Sequence, residues 1–92
     1  MSPPAAAPAP AAAFTACFSV VSKLDPGLMP RVLALFAKRG LIPTYWFSRV
    51  SGQELTIDLQ MEGLDRVTVA LLASGFRQIP TVRTVLTSEK RR

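Results

Sequence analysis

The sequence contains no histidine and a single cysteine in 92 residues. Without an imidazole there is no histidine base, so a histidine-dependent catalytic triad is excluded. A zinc site built from cysteine and histidine is excluded with it. Cys17 has no internal partner for a disulfide. Within its apolar run it is expected to be a small core residue in a reducing compartment. No stretch reaches the roughly 20 apolar residues needed to span a bilayer. The first residues are only Met, Ser, Pro and Ala, with no Lys or Arg ahead of an apolar stretch, so a secretory signal is not expected. These absences predict a cytoplasmic protein with no membrane contact.

What is present suits one small domain. Hydrophobic residues make up 49% of the chain, enough for a core. Five Phe, one Trp and two internal Met are its large candidates. The net charge of +5 overstates the basicity of the fold, because Lys90, Arg91 and Arg92 supply three of those charges at the terminus. Lys23, Arg31, Lys38, Arg39, Arg49, Arg66, Arg77 and Arg83 are scattered among acids, a pattern of solubility rather than of nucleic-acid binding. Residues 1–13 hold four prolines and no large side chain, which predicts a disordered tail. A domain over 14–87 and a basic tail over 88–92 complete the expected organisation.

The domain is organised around one helix. Asp25, Pro26 and Gly27 form a turn signal, and Gly40 is placed to close the helix that follows. Met29, Val32, Leu33 and Phe36 recur at spacings of three and four, predicting one inward face. Pro30 lacks an N–H and must lie near the helix start, which makes Gly27 the N-cap. The amides of Gly27, Leu28 and Met29 then need water, Asp25 or an anionic ligand. Burying four or five large side chains of this helix contributes roughly 8–12 kcal/mol before entropy is subtracted.

Around it, residues 14–22 alternate as a strand with Phe14, Ala16, Phe18 and Val20 on one side. A second strand over 42–50 is apolar on both faces at Tyr45, Trp46 and Phe47, so a partner chain is expected on the outer one. Ser51-Gly52 reads as a hairpin turn. The third strand, 54–61, places Leu55, Ile57, Leu59 and Met61 inward. A second helix over 64–74 is expected to bury Leu64, Val67, Leu71 and Leu72 and to end at Gly75. A last strand over 79–87 carries Val82, Val85 and Leu86. The order β-α-β-β-α-β predicts an α+β, ferredoxin-like sandwich, with a four-stranded antiparallel sheet and two helices on one face.

That topology hosts many functions, so the residues must choose among them. RNA recognition needs exposed aromatics on the central strands, and the third strand instead offers Glu54, Thr56, Asp58 and Gln60. A metal carrier needs paired cysteines. Asp25, Arg31, Arg39, Asp58 and Asp65 form no recognisable acid–base or nucleophile pair. No cofactor, metal site or catalytic residue is expected. A regulatory module remains.

The stretch from Val20 to Gly40 resembles the start of an ACT domain. Its Arg31-Val32, Leu35-Phe36 and Arg39-Gly40 spacings are most similar to those of acetolactate synthase small subunits. The resemblance implies a homodimer that activates a separate thiamine-diphosphate-dependent large subunit. It also implies an effector site for valine or another branched-chain amino acid. By position that site would comprise Leu24, Asp25, Pro26, Gly27, Leu28 and Met29 of the loop and Leu41, Ile42 and Pro43 before the second strand. Tyr45 and Phe47 would face the dimer partner. Two positions depart from the family pattern: Leu24 and Ile42 stand where asparagines are usual, and neither can hydrogen-bond an effector. The resemblance therefore implies weak or absent valine feedback. A stand-alone ACT module regulating another enzyme is the alternative, and an unrelated ferredoxin-like enzyme is a second.

Overall fold

The computed structural model describes residues 14–91. The tail expected over 1–13 lies outside the described residues, as does Arg92. Six elements follow in the order β1 (Phe14–Lys23), α1 (Leu28–Ala37), β2 (Tyr45–Ser51), β3 (Glu54–Glu62), α2 (Arg66–Arg77) and β4 (Val82–Arg91). The strands form one antiparallel sheet in the order β2-β3-β1-β4, and both helices pack on the same face of it. This is the ferredoxin-like βαββαβ arrangement.

The two central strands form for the reason their sequences suggest. Phe14, Ala16, Phe18 and Val20 of β1 are buried, as are Leu55, Ile57 and Leu59 of β3. Phe18 pairs with Leu59 and Val20 with Ile57 across the ladder. A strict period of two puts all of them on the helix side. Phe18, Phe36 and Phe76 then meet at the centre, with ring centroids 5.6–6.1 Å apart. The three rings join β1, α1 and α2, and each such pair adds about 0.5–1.5 kcal/mol beyond area burial.

Helix α1 begins after Gly27, as expected, and Gly40 closes its C-terminal end with a φ of +68°. Its buried row is Leu28, Val32 and Phe36. Leu33, expected inward, is 44% exposed, and Met29 is half-buried. The buried stripe is thus the i, i+4, i+8 row, which leaves Met29 and Leu33 on one flank.

Helix α2 departs further from expectation. Asp65 caps it, accepting a hydrogen bond from the Thr68 amide at 2.7 Å. This bond holds the Asp65 carboxyl below the usual carboxylate range. Leu64 is buried ahead of the helix rather than within it, and Val69 stands at the N4 position opposite, the arrangement of a hydrophobic staple. The inward residues are Leu72, Ala73 and Phe76, whereas Val67 and Leu71 are 68% and 48% exposed. Gly75 does not end the helix. It is the contact point with α1, where an added Cβ would lie 3.2 Å from Leu35 Cδ1.

Two connections also shift. The hairpin turn is Gly52-Gln53, because Ser51 already pairs with Glu54 and Gly52 supplies the positive φ, +60°, that the first turn residue needs. In β4 the register slips by one residue opposite Val21 and Ser22. That bulge lets Val82 and Val85, an odd spacing apart, both turn inward, while Leu86 is 62% exposed. Ile79 is buried before the strand starts, and the strand continues past Thr87 through Arg91.

Candidate functional site

The loop between β1 and α1 is anchored on three sides by backbone and side-chain bonds. Lys23 N–H donates to the Thr81 carbonyl at 3.0 Å, and Leu24 N–H to the Gln53 carbonyl at 2.9 Å. Asp25 organises the rest. Its Oδ1 accepts from the Gly27 amide at 2.9 Å, its Oδ2 from the Thr81 hydroxyl at 3.1 Å, and its carbonyl from the Leu28 amide at 3.1 Å. Two of the amides that a helix start would offer an anion are therefore satisfied internally, and the carboxylate complements the helix dipole. Leu28 is fully buried.

After α1 the chain reverses through Gly40, and the Leu41 amide bonds the Phe36 carbonyl at 2.9 Å. Leu41 packs against the core. Ile42 is 78% exposed. Thr44 then docks onto β3, its amide and hydroxyl both donating to the Gln60 carbonyl. The result is a groove of about 370 Å³ lined by Met29, Leu33, Ile42, Pro43 and Trp46.

Of the nine expected effector residues, the groove gathers Met29, Ile42 and Pro43. Asp25 and Gly27 bond to each other, Leu28 and Leu41 are packing residues, and Leu24 and Pro26 are exposed elsewhere on the loop. Leu33 and Trp46 belong to the groove and were not anticipated there. The rotation of α1 that exposes Leu33 is the missing signal. Apart from the Trp46 indole N–H, no lining side chain can form a hydrogen bond.

On the outer sheet face, Tyr45 and Phe47 are each 46% exposed. The register sets Tyr45 beside Gln60, with Cys17 on the far side of Gln60, and Phe47 beside Asp58, with Ser19 beyond it. Cys17 is thus half-buried on the outer face rather than in the core, because its odd position in β1 points away from the helices. Among the described residues no three His, Cys, Asp or Glu side chains gather to hold a metal, and no helix is long and apolar enough to cross a membrane.

No family model matches the sequence, and no curated protein matches it. Solved structures do. The ACT domain from GTP pyrophosphokinase of Chlorobium tepidum superposes with a TM-score of 0.71 at 16% identity, over 82% of this chain and 97% of that one. An ACT domain protein from Streptococcus pneumoniae gives 0.65 at 21% identity, over 84% and 90%. This is the ACT fold. The chain also superposes on the C-terminal domain of the MgtC protein from Mycobacterium tuberculosis, with a TM-score of 0.69 at 9% identity, over 87% of this chain and 90% of that one. At such identities the likeness is one of backbone architecture.

Proposed function

We propose that the chain is a non-catalytic regulatory module of the ACT type: an acetolactate synthase small subunit that dimerises and activates or stabilises the catalytic subunit, with weak or absent valine feedback. One observation carries this reading. The groove of Met29, Leu33, Ile42, Pro43 and Trp46 is apolar, and the adjacent Gly27 and Leu28 amides are already bonded to Asp25. A free amino acid brings an ammonium and a carboxylate, and taking either out of water without a partner costs several kcal/mol. The groove accommodates an aliphatic side chain but has no charged side chain for these groups. The module then works through protein contacts. The acetolactate synthase assignment is supported by the Arg31-Val32, Leu35-Phe36 and Arg39-Gly40 spacings. Dimerisation is supported by the half-exposed aromatics Tyr45 and Phe47.

Co-expression with an acetolactate synthase large subunit tests the proposal. A stable complex with raised activity is expected. A chain that co-purifies with no large subunit yet binds an amino acid belongs instead to a stand-alone ACT module. Turnover by the isolated chain contradicts both.

A further inference from the structure

Along the chain, cations and acids are interspersed; in the fold, the acids avoid both helices. Of the six carboxylates, Glu54, Asp58 and Glu62 lie on β3 and Glu89 on β4, while Asp25 and Asp65 sit in the connections ahead of α1 and α2. Neither helix contains a carboxylate. Arg66 is paired with Glu89, and Arg77 donates to the Val85 carbonyl at 3.0 Å. Arg31, Lys38 and Arg39 are exposed and make no ion pair among the described residues.

Two of these three flank a groove. Where Gly75 lets α2 approach Leu35 of α1, the helices leave a depression of about 400 Å³ lined by Arg31, Leu35, Lys38, Gly75, Gln78 and Ile79, among others. Arg31 and Lys38 are seven residues apart, two helical turns or about 10 Å along the axis. They stand at the two ends of an apolar floor. Val67 and Leu71 extend the apolar surface along the outer face of α2.

We propose that this groove docks an acidic amphipathic helix of a partner protein, its apolar ridge on Leu35 and Ile79 and its carboxylates on Arg31 and Lys38. A helix repeats its side chains every 5.4 Å, so carboxylates two turns apart match the two cations. A nucleic acid fits the floor poorly, because no aromatic is present to stack on a base. A lipid surface would meet the protruding Val67 and Leu71 rather than the floor of Leu35 and Ile79, and vesicle binding is an outcome of the test below. The inference deepens the proposed function and rests on that reading only for the identity of the partner.

The test uses the full chain and a labelled peptide of about 18 residues with leucines at helical spacing flanked by glutamates. Saturable binding is expected. It should weaken about tenfold in the double variant Arg31→Glu, Lys38→Glu, and again at about 0.5 M salt. Asp58→Lys on the outer sheet face should leave it unchanged, and circular dichroism should confirm that each variant is folded. No binding, or binding indifferent to the double variant, overturns the proposal. So does equal binding of a glutamate peptide whose leucines are serines, or tighter binding of single-stranded RNA or phosphatidylserine vesicles. A large subunit of acetolactate synthase separates the two readings. If it is activated equally by wild type and double variant, the surface is wrong and the function stands. If wild type does not bind it but the peptide result holds, the partner is wrong and the surface stands.

Discussion

The two flanks of α1 differ in kind although they share one helix. Toward β2, Met29 and Leu33 join Ile42, Pro43 and Trp46 in a groove without a charged side chain. Toward α2, Arg31 and Lys38 border a groove whose floor is Leu35 and Ile79. The buried row Leu28, Val32 and Phe36 runs between them and holds both in place. A helix of ten residues thus presents one surface suited to an aliphatic group and another suited to acidic, amphipathic protein. The difference teaches where recognition can be polar. It is polar on the α2 flank, where Arg31 and Lys38 make no ion pair among the described residues, and less so at the helix start, where Asp25 accepts from the Gly27 and Leu28 amides.

Several substitutions would break or sharpen that contrast. The largest effect is expected from Phe36→Ala, which empties the aromatic centre under both flanks. It should cost about 3–5 kcal/mol in urea unfolding, a large share of a small domain's stability. Gly75→Val acts on the α2 flank alone. Its Cβ would meet Leu35 Cδ1 at 3.2 Å, and forcing the helices apart should cost about 1–3 kcal/mol while leaving the Met29–Trp46 groove intact. Asp25→Ala acts at the helix start. It removes the acceptor for the Gly27 amide and the Thr81 hydroxyl and should cost about 1–2 kcal/mol. The smallest effect belongs to Asp65→Asn at the start of α2. Asn still caps, so neutral stability should hardly change. The lowered pKa of Asp65 means that its contribution is present above the unfolded carboxylate value, near pH 4, and fades as pH falls through that region. An acid titration of the variant should therefore show a shallower loss of stability below about pH 4.

Much of the architecture was legible because β1 and β3 keep a strict period of two, and because Pro30, Gly27 and Gly40 bracket α1 tightly. What escaped has a physical cause in each case. The phase of α2 was misread because Val67 and Leu71 are large and exposed, while the small Ala73 and Gly75 occupy packed positions. Apolar size does not report burial here, because close helix packing favours small residues. The β4 bulge was invisible because an odd spacing of valines breaks the simple alternation on which strand reading depends. At the site, the sequence raised Asp25 as one candidate filler of the helix-start amides, which is the role it takes. It placed Leu33 in the core, and so could not foresee the groove that Leu33 lines with Trp46. That Arg31 and Lys38 flank one groove is equally hidden, since it depends on which side of α1 meets α2 rather than on how charges alternate along the chain.

We propose that this domain works through protein contacts and has no charged side chain in the groove with which to read a free amino acid. Calorimetric titration of the purified protein with valine, leucine and isoleucine tests it most directly. No saturable heat is expected for any of the three at concentrations up to about the millimolar range. Micromolar binding of any one of them, abolished by a substitution at Met29 or Ile42, would contradict it.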